Sequence, residues 1–162
     1  TRWTGDWSSD VCSSDLHSLP VPPNHMKQAR TFIVSGTDRT THIAELKAQI
    51  RQFVEERDWD QFHTPKDLAI VLSIEASELL ELFRFQSNEV IDQRLEEPDV
   101  RQAVAHELAD VLCFVLLLCS NLGLDTTTIL QEKLALNAER YPVEKARGRN
   151  VKYTALDTPS QE

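Results

Sequence analysis

Between residues 41 and 142, apolar positions recur at the three- and four-residue spacing of one helix face. Ile43, Leu46, Ile50, Phe53 and Val54 predict a first helix over 43–57. Thr64-Pro65-Lys66-Asp67 then reads as a helix start, with Thr as N-cap, Pro in the first turn and an acid near the positive helix end. The second helix carries Leu68, Val71, Leu72, Leu79 and Leu82 on its stripe and is expected to run from 65 to about 85. A polar, acidic connection over 86–97 has room for a short helix. Pro98 opens a third helix striped by Val100, Val104, Val111, Val115 and Leu118, and Gly123 ends it. Asp125 or Thr126 caps a fourth, ending near Arg140 before Pro142. No stretch of five residues alternates in the manner of a strand, and no repeat of solenoid length is present. The fold class expected is all-α, a four-helix-bundle protomer. Helices of these lengths leave apolar surface uncovered, so dimerisation is expected.

Composition narrows the partners. Hydrophobic residues make up 41% of the 162, enough for a core, and the formal net charge is −9. Such a balance disfavours nucleic acid or an anionic membrane as a partner held by bulk charge, while a small phosphate ligand remains open through a divalent cation. The three cysteines show no zinc spacing, and Cys113 and Cys119 stand roughly 9 Å apart along one helix, too far to bridge. Unbridged thiols point to a reducing, cytoplasmic location. The uncharged apolar run over 111–124 is shorter than the roughly 20 residues that span a bilayer and reads as a core helix. Residues 1–25 are aperiodic and hold five serines, three prolines and two of the three tryptophans, and the sole methionine is Met26. We read 1–25 as a non-native or disordered leader, 26–40 as a flexible segment, 41–142 as the domain and 143–162 as a tail.

Four acids stand where the helical pattern calls for apolar residues. Glu75 interrupts the second stripe between Leu72 and Leu79, with Glu78 beside it. Glu107 interrupts the third between Val104 and Val111, with Asp110 one turn on. Each pair has i, i+3 spacing and so shares one face. Carboxylates on an apolar interface cost several kcal/mol each unless compensated (a rough figure), so a cation is needed. Oxygen-only donors select hard ions, Mg2+ or its substitute Mn2+. A di-iron bundle would need Glu-x-x-His pairs, and Ala103 stands three residues before His106. One acid alone would be an ordinary solvated side chain. Two pairs on neighbouring stripes are not.

The arrangement Glu75-x-x-Glu78 followed by Glu107-x-x-Asp110 resembles the signature of the all-α nucleotide pyrophosphohydrolases, the MazG-like superfamily. Glu56-Arg57-Asp58-Trp59-Asp60-Gln61-Phe62-His63-Thr64-Pro65 and the later Lys133…Asn137…Arg140-Tyr141-Pro142-Val143…Ala146-Arg147-Gly148…Lys152-Tyr153 are similar to its single-domain dCTP pyrophosphatase branch. The resemblance implies a homo-oligomer, dimer or tetramer, of roughly four-helix protomers in which the four acids hold magnesium and serve catalysis. It implies cleavage of a nucleoside triphosphate, dCTP or a modified dCTP among them, to monophosphate and pyrophosphate in cleaning the nucleotide pool. It also places Trp59, Asp60, Gln61, Phe62 and His63 at the nucleoside, together with Phe85 and Phe114. Lys133, Asn137 and Arg140 share one stripe of the last helix, where their residue types favour phosphate over solvent. The branch has a histidine where this chain has Ile50, a tryptophan at Phe85 and a tyrosine at Phe114. Stacking is kept with fewer hydrogen-bond donors, which implies a broader or altered base preference.

Bland alternatives stand beside these assignments. Trp59 and Phe62 fit as core aromatics, His63 as the residue before a helix cap, the last-helix stripe as a solvated face, and Glu81 as a spare acid. Two other functions are compatible with the acids: a non-catalytic helical protein binding a basic partner surface, and a pyrophosphohydrolase acting on another substrate, such as a phosphoribosyl nucleotide.

Overall fold

The computed structural model describes residues 36–156, so the expected leader over 1–25 lies outside the described residues, as does most of the 26–40 segment. The chain divides into two units at Thr40. Of the first, the described residues form a turn closed by the Thr40 amide donating to the Thr37 carbonyl at 2.9 Å. The second unit, Thr41–Glu162, holds all the helices found among the described residues.

These are α1 (Ile43–Glu55), α2 (Pro65–Glu81), α3 (Asn88–Arg94), α4 (Pro98–Asn121), α5 (Thr126–Arg140) and α6 (Val143–Ala146). Single 3-10 turns occupy Asp60–Phe62 and Tyr153–Ala155. No strand occurs among the described residues, and the all-α class is as expected.

Local chemistry explains the boundaries. The Thr64 hydroxyl accepts from the Asp67 amide at 3.3 Å and donates to the Asp67 carboxylate at 2.6 Å, with Pro65 in the first turn of α2. Ser87 caps α3 through the Val90 amide, and Asp125 caps α5 through the Thr128 amide at 2.8 Å. Gly123 takes φ +66 after α4, a backbone that glycine adopts without penalty. Two ends differ from expectation. α1 stops at Glu55, and Asp58 takes φ +55 in the loop that follows. α2 stops at Glu81 rather than near Phe85, because the chain turns through Leu82 and leaves Phe85 at φ +59 before the Ser87 cap.

The main helix pair is α2 with α4, and α1 packs on α4. Val54 of α1, Leu68 of α2 and Phe114, Leu116, Leu117 and Cys119 of α4 are buried, and Leu156 joins them from the C-terminal segment. The Lys47 ammonium ties α1 to the turn after α4 by donating to the Leu124 carbonyl at 2.9 Å. α4 is long and apolar enough to cross a bilayer by length and composition alone. Yet it carries Glu107 and Asp110 at mid-length, each costing about 2.5–3.5 kcal/mol at a bilayer centre, and it pairs closely with α2. Only 22% of its most apolar stretch is buried within one chain.

Leu68 and Phe114 should therefore carry much of the stability. Leu68→Ala is expected to cost about 2–5 kcal/mol and Phe114→Ala about 3–5 kcal/mol in urea unfolding. Loss below 1 kcal/mol at either position would contradict this core.

Candidate active site

The α2–α4 pairing decides where the acids go. On α2, Leu68, Val71, Leu72, Glu75, Leu79 and Leu82 follow one another at helical spacing, so the face carrying Leu68 into the core carries Glu75 with it. Glu75 is 5% exposed, whereas Glu78 beside it and Glu107 across on α4 are half-buried. One carboxylate oxygen from each of Glu75, Glu78 and Glu107 lies within 4.8 Å of the other two. The fourth acid, Asp110, is half-buried and stands outside that set of three, though its charge is felt by Glu107.

Electrostatics show how uncomfortable the cluster is without a cation. Burial pushes the Glu107 carboxyl above its ordinary range, and the charges of Glu78 and Asp110 push it further, with His106 opposing. Asp110 is raised by burial and by Glu78, again against His106. The Cys113 thiol, one turn past Asp110, is pushed up to about 11 by burial and by the Asp110 and Glu75 charges. Glu107 also buries its Oε2 atom with no hydrogen-bond partner. A buried acceptor in that condition costs about 1–3 kcal/mol or more for a charged group. Three convergent carboxylates with such a buried, unpartnered oxygen on Glu107 fit a hard divalent cation. Glu81 turns to other use, pairing with Arg84 at 2.6 Å.

Aromatic residues gather at the other end of α2. The Trp59 amide donates to the Val54 carbonyl at 3.1 Å, folding the loop back on α1. The Trp59 ring meets Phe53 edge-on at 6.0 Å and His63 edge-on at 6.5 Å. The Arg57 guanidinium lies 3.5 Å from the centre of the Phe53 ring and 5.9 Å from that of Trp59. His63 is 4% exposed, both its ring nitrogens are buried without a hydrogen-bond partner, and burial lowers its basicity against the pull of Asp60. Its backbone carbonyl accepts a 2.6 Å hydrogen bond from the Asn121 side chain at the end of α4. Asp60, Gln61 and Phe62 are exposed, and Gln61 donates back to Asp58.

The remaining sequence-predicted residues are dispersed. Phe114 is 1% exposed and belongs to the core, while Phe85 is 95% exposed, with Arg84 lying 5.1 Å from its ring centre. Lys133 and Arg140 are exposed and Asn137 half-buried on α5, and Arg140 lies over Tyr153. Among the described residues α5 has no closely packed partner helix. Sequence reasoning passed over Arg57 and Asn121. Arg57 had a signal, since it stands one turn after Phe53, whereas Asn121 contacts a carbonyl 58 residues away and had none.

The sequence profile of the MazG-like family matches residues 70–156, which includes all four acids. The chain belongs to the MazG-like family. It is similar to dCTP pyrophosphatase 1 of Mus musculus, 37% identical over 79% of this chain and 74% of that one. It is likewise similar to dCTP pyrophosphatase 1 of Homo sapiens, 36% identical over 70% of this chain and 67% of the other. Among solved structures, a pyrophosphatase from Archaeoglobus fulgidus superposes with a TM-score of 0.59 at 34% identity, over 67% of this chain and 99% of its own. With such relatives this MazG-like chain is an enzyme of the nucleotide pyrophosphohydrolase type.

If the three oxygens hold a cation, Mg2+ at a hundredfold excess over Kd should stabilise the protein by about 2.7 kcal/mol. Glu107→Gln keeps the helix and removes one charge from the cluster. Thermal unfolding should show a metal-free variant no less stable than wild type and a much smaller rise on adding Mg2+. An undiminished rise would place the ion elsewhere.

Proposed function

We propose that this chain is a Mg2+-dependent nucleoside triphosphate pyrophosphohydrolase that acts on deoxyribonucleotides, dCTP or a modified dCTP among them. The observation that carries the reading is the convergence of Glu75, Glu78 and Glu107 oxygens within 4.8 Å, on helices of a MazG-like chain whose named relatives act on dCTP. In the reaction, water attacks the α-phosphorus, the bridging α–β oxygen leaves with pyrophosphate, and the monophosphate keeps the incoming oxygen. A divalent cation, with Mn2+ as a substitute, supplies neutralisation of phosphate charge and acidifies water.

The chain's own groups do the rest. Glu75, Glu78 and Glu107 hold the cation and Asp110 completes the set. Any carboxylate of the four not engaged with the ion can orient water and receive its proton. Trp59 offers a half-buried ring as a stacking face for the base, with Phe62 and His63 beside it. Lys133, Asn137 and Arg140 share one stripe of α5 and supply donors for phosphate oxygens. Ile50 and the buried Phe114 offer no polar hydrogen to a base, so the preference among bases is broader than for cytosine alone.

Assembly belongs to the same proposal. Ile70 and Ile74 on the outer face of α2 are each 49% exposed, Leu108 and Leu112 on α4 are 52% and 51% exposed, and Leu130 and Leu134 on α5 are 55% and 57% exposed. A groove of about 740 Å3 runs beside Ile70 and Ile74 to Glu78 and Glu81. Apolar area of this extent on three helices is covered by further copies of the chain, in a dimer or tetramer. The cytoplasm, with its reduced thiols, is the proposed location.

A panel of the four dNTPs, their ribonucleotide counterparts and a phosphoribosyl nucleotide, each with Mg2+, should show equimolar monophosphate and pyrophosphate from at least one deoxyribonucleotide. Release of orthophosphate, or turnover confined to the phosphoribosyl nucleotide, would reject the reading. Light scattering should give a mass at least twice that of the chain, and Leu130→Glu with Leu134→Glu should lower it.

A further inference from the structure

Among the groups that the proposed chemistry does not use, two that lie far apart in sequence flank the aromatic loop, Arg57 beside the Trp59 ring and Asn121 at the His63 backbone. Asn121, at the last residue of α4, donates to the His63 carbonyl at 2.6 Å. Arg57, just past α1, stacks on Phe53 at 3.5 Å and is anchored by its own 2.9 Å bond to the Phe53 carbonyl. Between them stands Trp59, edge-on to Phe53 on one side and to His63 on the other.

We propose that Arg57 and Asn121 are positioning residues that fix the Trp59 ring before substrate arrives, so that substrate affinity depends on a clamp reaching from α1 to the far end of α4. This deepens the proposed function by naming what presets its stacking face.

The physics follows from loop entropy. Residues 56–64 join α1 to α2 and contain a left-handed residue, Asp58 at φ +55, with short-range backbone bonds from Trp59 to Val54 and from Phe62 to Trp59. Such a loop, left to itself, samples many side-chain orientations, and binding would have to order them at about 0.5–1.5 kcal/mol for each immobilised side chain. Three contacts remove that freedom in advance. The Arg57 plane covers Phe53 and so fixes the surface against which the Trp59 edge rests. His63 is held by burial on its side-chain end and by Asn121 on its backbone end, so it closes the other flank of Trp59. Neither Arg57 nor Asn121 contacts the carboxylate cluster in any bond described, so each acts through Trp59 and not on the phosphates. Lys in place of Arg57 would keep the charge and lose the flat stacking face.

The test uses the full chain carrying Trp3→Phe and Trp7→Phe, which leaves Trp59 as the sole tryptophan. Into it go Asn121→Ala, the near-isosteric Asn121→Asp, Arg57→Met and Arg57→Lys. Losing one such contact is expected to raise KM for the preferred dNTP about three- to tenfold while kcat stays within about twofold. Acrylamide quenching of Trp59 should rise at least about twofold in all four, without nucleotide present, since each removes a restraint on the ring. A variant that merely unfolds would lose kcat and its thermal transition together, and the Asn121 and Arg57 series act on different helices, so one failure of folding leaves the other readable. A fall in kcat at unchanged KM, or quenching equal to that of the parent, overturns the clamp. Raised quenching at unchanged KM also overturns it, because the restraint would then serve no substrate. If the parent turns over no nucleotide at all, the proposed function fails, and quenching alone then decides whether the clamp exists.

Discussion

Carboxylates that sit between two helix faces built to exclude water must be compensated, and the α2–α4 pair is arranged around that requirement. Leu68 and Phe114 fix the two helices against each other from positions in the core, and the same helical period that buries them delivers Glu75 and Glu107 to the seam. Mutual repulsion among Glu75, Glu78 and Glu107 works against that pairing, and both Glu107 and Asp110 are harder to ionise than a surface acid. A cation reverses the sign of the problem. On the proposed reading the ion is thus tied to the stability of the helix pair as well as to chemistry.

The same helix leaves apolar surface uncovered in a single copy of the chain. α4 is apolar around most of its circumference, yet α2 and α1 cover only part of it, and α5 has no closely packed partner among the described residues. On the proposed reading the phosphate-binding stripe of α5 is placed relative to the acids by assembly. Lys133, Asn137 and Arg140 then approach the triphosphate only in the oligomer, so activity and self-association rise and fall together.

Much of this was legible in the sequence because helical period is a strong signal. Four main helices were expected and are present, and the acids stood out by interrupting stripes that continue on both sides, at Leu72 and Leu79 and at Val104 and Val111. What period does not encode was less visible. The end of α2 depends on a turn through Leu82 that no cap residue announces, so Phe85 lies outside the helix that was expected to contain it. Phe114 continues the apolar face of Val111, Val115 and Leu118, and its 1% exposure follows from that pattern, whereas the family resemblance had placed it at the nucleoside. The bond from Asn121 to His63 joins residues 58 apart and depends on how α4 passes the aromatic loop, which local pattern does not record.

Base recognition on such a scaffold is limited by what the pocket can donate. A stacking face accepts any base, since every base presents a π surface. Large discrimination, of the order of 10⁴–10⁵, arises where a buried donor or acceptor is left unpaired by the wrong ligand, and a purely apolar wall separates close analogues by only about 10–200-fold. Ile50 is half-buried and apolar and Phe114 carries no hydroxyl, which leaves backbone groups and the loop over 59–63 as the sources of polar contacts. Within that loop the His63 ring nitrogens are buried away from solvent and unpartnered, and Asp60 and Gln61 face outward. On the proposed reading, selectivity in this chain therefore rests on the shape of the aromatic wall more than on a hydrogen-bond code.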